Sequence, residues 1–572
     1  MKLSRIALFA APLLASACTT LPAPTALPPA AQVYPTGMVS AADPRAAEAG
    51  AEMLRRGGSA TDAAIATMLA LTVVEPQSSG IGGGGLFVSS NARGEVDTID
   101  GRETAPAAAT PNWFMQGGQP IGFANAVPGG LSVGVPGNIA LVAQAHRAHG
   151  RLPWAVLFEP AIKLARDGFA ITPRLNAMLA GNTRTGAFDP AGQALFYSAD
   201  GTALPVGTVV RTPDLAATLS VIATQGAPAF YSGANARAIA ARVSTAPRGA
   251  APMTAADVEA YQAKPRAPLC ANYRQYRICG MGPPSSGATT VLATLGQLER
   301  FDLTALGKDS PVAWHLIAES ERLAYADRAR YSADPDFVAV PATGMVDRAY
   351  LTARGAALDP ARTMPSVSAG TPPGADRTAL ADPVPAEEHG TSAFIAVDRA
   401  GNAVSYTSTI ESSFGSGLMV GGYYLNNELT DFDMQPQLDG RMVANRVEGG
   451  KRPRSSMSPT LVFGPDGHLV LAVGAAGGAT IPAQVIRAVI GMIDWHLQPA
   501  DALALPVIVP LGDALFVEQG SALEAMIPAL QALGHSQIQP RGLPLKANAI
   551  LITPAGLVGA ADPRSEGRAI GE

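Results

Sequence analysis

The chain lacks several of the features that mark common functions. It has no run of lysine and arginine, so nothing in it supplies a phosphate-neutralising patch. The formal net charge is −5 with both signs interspersed, and a nucleic-acid partner is excluded on that ground. Neither an HExxH pattern nor a CxxC pair occurs, so no metal site is expected. The glycine-rich stretch 78-SSGIGGGGLFVSS-90 is not followed by Lys-Ser/Thr and is therefore not a phosphate loop. Close backbone packing under a neighbouring element explains it better. No repeat period is present, and no cofactor is called for. The apolar run in MKLSRIALFAAPLLASACTT is too short to span a bilayer as a mature helix.

That N-terminal run has another use. Lys2 and Arg5 precede it and Ala15-Ser16-Ala17 closes it, the order of an export signal over residues 1–17. Cys18, directly behind small residues, is similar to a bacterial lipobox cysteine, which carries lipid and anchors the chain to a membrane. The competing reading is ordinary cleavage after Ala-Ser-Ala, favoured by Ala15 where lipoboxes carry leucine. Both make the protein exported and periplasmic. Residues 18–35, rich in proline, alanine and threonine, read as a disordered tether. The remaining cysteines, Cys270 and Cys279, flank a hairpin pattern in PLCANYRQYRICGM. An oxidising compartment permits a disulfide there, and two free, half-buried cysteines fit equally well.

At 572 residues the chain exceeds one ordinary core, so two domains or one large intertwined unit are expected. Asp43 to Arg56 has helical spacing stopped by Gly57-Gly58, and Ser59 or Thr61 can cap a following helix to about Leu71. Helical patterns recur from about Asn138 to Asp167, and AWHLIAESERLAYADRARY reads as an amphipathic helix. Residues 364–386 lack periodicity and are rich in proline, alanine and glycine, as suits an exposed connector and a chain break. Beyond it TSAFIAVD, AVSYTSTI and GGYYLNN read as successive strands, with RAGN as a tight turn between the first two. TLVFG and LVLAVG follow as strands, then a helix, AQVIRAVIGMIDWHL, behind the glycine cluster AAGGAT. Helices layered on antiparallel sheets are implied.

A small hydroxyl residue stands where the connector becomes a strand, in 387-EEHGTSAFIAVD-398. If the Gly390–Thr391 bond is cut, Thr391 gains an α-amine beside its own hydroxyl. Such an amine titrates at about 7.7–8.0, near the operating pH of a good general base. One residue then holds nucleophile and base. Attack of the Thr391 hydroxyl on the Gly390 carbonyl can make the cut, and glycine leaves that intermediate uncrowded. Ser392 is the rival nucleophile, but strand geometry points it to the opposite face. His146, His149 and His389 have no arranged partners in the sequence, so core or surface roles are expected for them.

The stretches 391-TSAFIAVDRAGNAVSYTSTIESSFGSG-417, 424-YLNNELTDF-432, 451-KRPRSSMSPT-460 and 474-GAAGGATIP-482 resemble the γ-glutamyltransferase family. The likeness extends upstream through SSGIGGGGLF, DGRETAP, AVPG, PAIKLARDGF, MGPPSSG and LAYADRARYSADPDF. It implies an N-terminal-nucleophile hydrolase: an α+β, four-layer αββα sandwich made as one chain and self-cut at Gly390–Thr391. The large subunit would cover residues 36–390 and the small one 391–572, forming a heterodimer. The resemblance makes Thr391 the nucleophile and Thr409 the hydroxyl that orients it. Arg102 would grip the substrate α-carboxylate, with Ser455 and Ser456 adding donors. Glu428 and Asp431 would receive the α-ammonium, and the N–H groups of Gly477 and Gly478 would form the oxyanion hole. Thr391 would then take the γ-glutamyl group from an amide such as glutathione and pass it to water, an amino acid or a peptide.

Each residue alone has a plainer reading. Arg102 suits a solvated turn, Glu428 and Asp431 suit loop charges or caps, and the serine and glycine pairs suit turns. Their joint order favours the functional one. The chain also departs from the pattern. Glu411 stands where many members carry an asparagine touching the substrate's amino end. The link from Asp431 to Ser455 is short and holds no tyrosine, so a more open pocket is expected. Two alternatives stand: an acylase of the same superfamily acting on glutaryl- or cephalosporin-type amides, and a non-catalytic, surface-anchored binding protein that stays one chain.

Overall fold

The computed structural model describes residues 35–376, 380, 390–512 and 514–572. The expected export signal, Cys18, nearly all of the tether, and His389 lie outside the described residues.

Two antiparallel sheets form the middle of the molecule. One runs in the order Arg568–Gly571, Met38–Ala41, Ser392–Val397, Ala403–Thr409, Gly84–Ser90, Val96–Gly101, Lys264–Arg266. The other runs Gly556–Ala561, Lys546–Thr553, Leu469–Ala476, Thr460–Phe463, Tyr276–Gly280, Leu269–Tyr273. Helices Pro44–Arg55 and Ala60–Val74 cover the first sheet, Gly287–Leu298 and Ile481–Ile493 cover the second, and Pro311–Tyr331 packs outside on Gly287–Leu298. The layer order is the four-layer αββα sandwich of the N-terminal-nucleophile hydrolases. Strands from before and after position 390 contribute to both sheets and interleave in the first, so the two parts of the chain form one intertwined unit.

The period of two sets the packing. In Ser392–Val397, Phe394 and Ala396 enter the core under the helices, while Ile395 and Val397 enter the core shared by the sheets. The strand pairs antiparallel with Ala403–Thr409 through the expected turn, Ser392 lying opposite Ser408. Helix Ala60–Val74 is buried along its whole length. Its first turn is closed by a reciprocal cap, Ser59 accepting the Asp62 N–H while the Asp62 carboxylate accepts the Ser59 N–H.

Three expectations change. Helix Pro311–Tyr331 is not amphipathic in the sense of one wet face, because Glu319, Glu321, Asp327, Arg328 and Arg330 are buried too. The chain that follows covers them: Glu319 accepts from the Thr363 hydroxyl and the Met364 N–H, and Asp327 from the Tyr350 hydroxyl. GGYYLNN supplies only the two-residue strand Tyr423–Tyr424, paired with Met419–Val420. Beyond it the Asn426 side-chain amide binds the Gly82 and Gly134 carbonyls, so this segment is tied by side chains rather than by a ladder. His146 and His149 do have partners, the Leu152 carbonyl at 2.8 Å and the Asp97 carboxylate at 3.3 Å. Both lie away from Thr391. Cys270 and Cys279 face each other across their hairpin and form a disulfide. Among the described residues no helix is long and apolar enough to cross a membrane, and no cluster of three metal-ligating side chains occurs.

The glycine-rich turn places the end of the Thr409 strand. A Cβ on Gly83 would lie 1.9 Å from the Thr409 carbonyl oxygen. That carbonyl is backbone and cannot swing away, so Gly83→Ala is expected to destabilise the fold by roughly 1–3 kcal/mol. Thermal denaturation of the variant beside the parent measures this, and an unchanged midpoint would refute it.

Candidate active site

Four segments meet at the Gly390–Thr391 bond. Both residues are in the left-handed region, with φ of +91° and +98°. A Cβ on Gly390 would sit 1.4 Å from the Glu411 carbonyl oxygen, so only glycine fits. Thr391 is β-branched, and such a residue at positive φ stores roughly 1–3 kcal/mol. The strain is held by fixed contacts. The Thr391 N–H donates to the Ser78 carbonyl at 3.2 Å, and the Ile410 N–H donates to the same oxygen at 3.2 Å. The Thr391 hydroxyl donates to Thr409 Oγ1 at 3.2 Å, and that oxygen also accepts the Glu411 N–H at 2.7 Å. On the other side of the bond the Gly477 N–H donates to the Gly390 carbonyl at 3.2 Å. A hydroxyl, an orienting acceptor and a donor on the neighbouring carbonyl therefore converge. Ser392 is occupied elsewhere: its hydroxyl donates to Glu75 at 2.6 Å, and Lys546 reaches both.

A tight pocket of about 10 Å³ opens beside Thr391. Arg102, Thr409, Glu411, Glu428, Asp431, Ser455, Ser456 and Gly478 line it with Thr391. Nine residues singled out in the sequence, spread from position 102 to 478, thus share one cavity wall. Gly477 lines a larger neighbouring cavity instead. No residue of 433–450 lines either space, so that short link does not cover Thr391, yet the pocket itself is nearly filled rather than open. The filling has an electrostatic cause. The Arg102 guanidinium forks directly onto Glu428 and Asp431 and also donates to the Arg454 carbonyl at 2.8 Å. Arg102 and its two acids pair with each other here, where the sequence implied that each holds a substrate charge. Glu411 accepts from the Ser412 hydroxyl and the Asn427 amide. Ser456 Oγ accepts from Arg328 at 2.5 Å, and Ser455 Oγ accepts the Met457 N–H at 3.2 Å.

Two residues at the site were not singled out in the sequence. Arg328, from helix Pro311–Tyr331, holds Ser456 and donates to Ser286 at 2.8 Å. Glu103 lies beside Arg102, fully buried, and neither of its carboxylate oxygens has a hydrogen-bond donor. Glu428 Oε2 is equally unpartnered. Burial pushes the Glu103 carboxyl up to about 7, against the pull of Arg102, and raises Glu428 well above its ordinary value. Glu103, Glu428 and Asp431 thus crowd the Arg102 guanidinium, with Glu411 also buried at the pocket, and burial favours the neutral forms of Glu103 and Glu428. DGRETAP contains Glu103, but only its three-dimensional neighbours distinguish it from a surface acid.

Comparison with known proteins accords with this geometry. Residues 46–572 match the family described as Gamma-glutamyltranspeptidase. The chain belongs to the γ-glutamyltranspeptidase family. It is 36% identical to the glutathione hydrolase proenzyme of Bacillus subtilis strain 168 over 512 residues, covering 87% of this chain and 85% of that one. It is 34% identical to the acylase ACY 1 proenzyme of Pseudomonas sp. strain SE83, covering 93% and 92%. Among solved structures, the cephalosporin acylase from Bacillus halodurans superposes with a TM-score of 0.82 at 26% identity, over 97% of this chain and 99% of that one. The γ-glutamyltranspeptidase family relatives thus include both hydrolases and acylases, named as proenzymes.

The charge balance gives a test. Arg102→Ala strands Glu428 and Asp431 without their counter-ion in a buried site, which is expected to cost roughly 3–5 kcal/mol of stability. Arg102→Lys should recover only part, since a lysine cannot fork onto both acids. Urea denaturation of the three proteins decides it. Equal midpoints would show that the acids need no such partner.

Proposed function

We propose that this chain is a self-processing glutathione hydrolase and γ-glutamyltransferase with Thr391 as nucleophile. The observation that carries the reading is the Gly477 N–H donating to the Gly390 carbonyl while the Thr391 hydroxyl lies against Thr409. In the uncut chain the Thr391 oxygen attacks the Gly390 carbonyl carbon, and the Gly477 N–H supports the developing oxyanion. The C–N bond breaks, leaving an ester on Thr391 Oγ1 and a free α-amine. Water hydrolyses the ester and releases the Gly390 carboxylate. Opening the bond also relieves the strain at Thr391.

The same groups then serve turnover. The Thr391 amine takes the hydroxyl proton as the oxygen attacks the γ-carbonyl of a γ-glutamyl amide. The N–H groups of Gly477 and Gly478 support the oxyanion, a donor pair whose members typically matter by about 10²–10³ each in rate. The protonated amine gives its proton to the leaving amine. A γ-glutamyl ester remains, and water or an acceptor amine, deprotonated by the same group, completes the cycle.

A zwitterionic head fits the charged pocket. Its α-ammonium brings three donors to Glu428, Asp431 and the unpartnered oxygens of Glu103, and its α-carboxylate takes the fork of Arg102 that Glu428 and Asp431 release. A glutaryl group offers only the carboxylate and would leave the acids stranded. The acylase reading keeps two observations in its favour, the whole-chain likenesses to the acylase ACY 1 proenzyme of Pseudomonas sp. strain SE83 and to the cephalosporin acylase from Bacillus halodurans. A large and a small subunit from one precursor, exported by residues 1–17 and anchored through lipid on Cys18, complete the proposal. Mass analysis of the membrane fraction tests that anchor.

The pH dependence separates the two substrates. Above about 7 Glu103 is ionised and attracts the ammonium, whereas below it the carboxyl is neutral and that attraction is lost. The ratio of kcat/KM for γ-glutamyl anilide to that for glutaryl anilide should therefore fall with acidification, approaching about tenfold per pH unit. Titration of the shared nucleophile cancels in the ratio. A flat ratio, or a preference for glutaryl anilide at every pH, would favour the acylase.

A further inference from the structure

A second cavity, of about 480 Å³, meets Thr391 from the side away from Arg102. Thr391 is the one residue that lines both spaces. A substrate whose α-amino-acid head occupies the tight pocket and whose carbonyl carbon lies at Thr391 must extend its leaving amine into the large cavity. An acceptor amine must attack from the same place. Gly477 and Gly390 also line this space, so release of Gly390 vacates part of it.

The lining has a marked sign. Among its described lining residues the charged ones are Arg174, Arg184 and Lys546, with no aspartate or glutamate. Phe123, Val127 and Met178 add apolar wall. Lys546 is neutralised from behind by Glu75 at 2.8 Å. Arg174 is not so well matched. Its Nε is buried without a hydrogen-bond partner, and Glu75 lies beyond bonding distance at 3.9 Å. Its side chain keeps 27% exposure, so the guanidinium is within reach of a ligand. Arg174 and Met178 stand one turn apart on helix Pro173–Gly181, capped by Thr172, so one helix face presents the charge and the apolar wall together. Arg184 follows on the next short helix, its guanidinium donating to the Ala124 carbonyl. The one other acid near Arg174, Glu566, is spent on its backbone N–H at 2.9 Å.

We infer that this cavity selects leaving groups and acceptors bearing a free carboxylate, read by Arg174 with Arg184 in support. The ligand class is a short peptide or amino acid with an ionised C-terminus. The inference rests on the γ-glutamyl reading above and specifies its second subsite. A guanidinium with an open fork pairs with a carboxylate through two bonds, which an amide cannot reproduce. Glutathione fits this description, since its leaving dipeptide ends in a carboxylate.

The test compares glutathione with its C-terminal amide, which share the γ-glutamyl head and the scissile bond. The parent enzyme should favour the acid in kcat/KM by about tenfold. Arg174→Ala should reduce that preference to about one or two, Arg174→Lys should retain part of it, and Arg184→Ala should lower it less. The preference is a ratio, so a variant that folds in poor yield still reports it. Added salt should weaken turnover of the acid more than of the amide. A parent ratio near one, or a ratio unchanged in both alanine variants, would overturn the inference while leaving γ-glutamyl transfer intact. A parent that cleaves neither compound yet cleaves glutaryl anilide would overturn the γ-glutamyl reading, and this inference with it.

Discussion

The structure turns on one carbonyl oxygen, that of Ser78, which accepts the N–H groups of Thr391 and Ile410 together. Those residues begin one strand and end its neighbour. The shared acceptor draws both onto the turn after helix Ala60–Val74, and the glycines behind that turn let the backbones close. Thr391 is thereby held at a φ that its branched side chain resists, with its hydroxyl against Thr409 and the preceding carbonyl against Gly477. Without that clamp the residue would relax into an ordinary strand start, and the hydroxyl would swing away from the Gly390 carbonyl.

Around the clamp, charge is arranged unevenly. On one side Glu103, Glu428 and Asp431 surround Arg102, and burial raises the carboxyls of Glu103 and Glu428. On the other side arginines line a roomier space with no aspartate or glutamate among its described lining residues. Thr391 is the divide. A substrate with an ammonium near one end and a carboxylate at the other would be oriented along that gradient before any bond is made, the task on which positioning in catalysis depends. Hydrolases and acylases both stand among the relatives of this chain.

Much of this was legible in the sequence for identifiable reasons. The pair Ser392–Val397 and Ala403–Thr409 shows its alternation and its turn, both local properties of the chain. Thr391 stands out because glycine precedes it at the edge of a strand. The motif order brought Arg102, Glu428, Asp431 and the serine pair to one pocket in anticipation. What the sequence could not carry was mutual contact. It implied that Arg102 and its acids each meet a substrate charge, whereas in the structure they meet each other. Arg328 and Lys546 stayed hidden because their partners lie far along the chain, such as Glu75 for Lys546 at a separation of 471 residues, and Glu103 because its burial comes from the fold. The polar face of helix Pro311–Tyr331 was read as wet for the same reason: the segment that buries it has no periodicity of its own.

Central to the account is that the amine freed at Thr391 is the base for the hydroxyl beside it. Intact-mass analysis of the purified protein, run beside γ-glutamyl anilide turnover for the parent and Thr391→Ala, tests this directly. The account predicts two pieces in the parent, the smaller beginning at Thr391, with turnover rising as that piece accumulates. It predicts a single inactive chain in the variant. Full turnover by a chain still joined between residues 390 and 391 would contradict it.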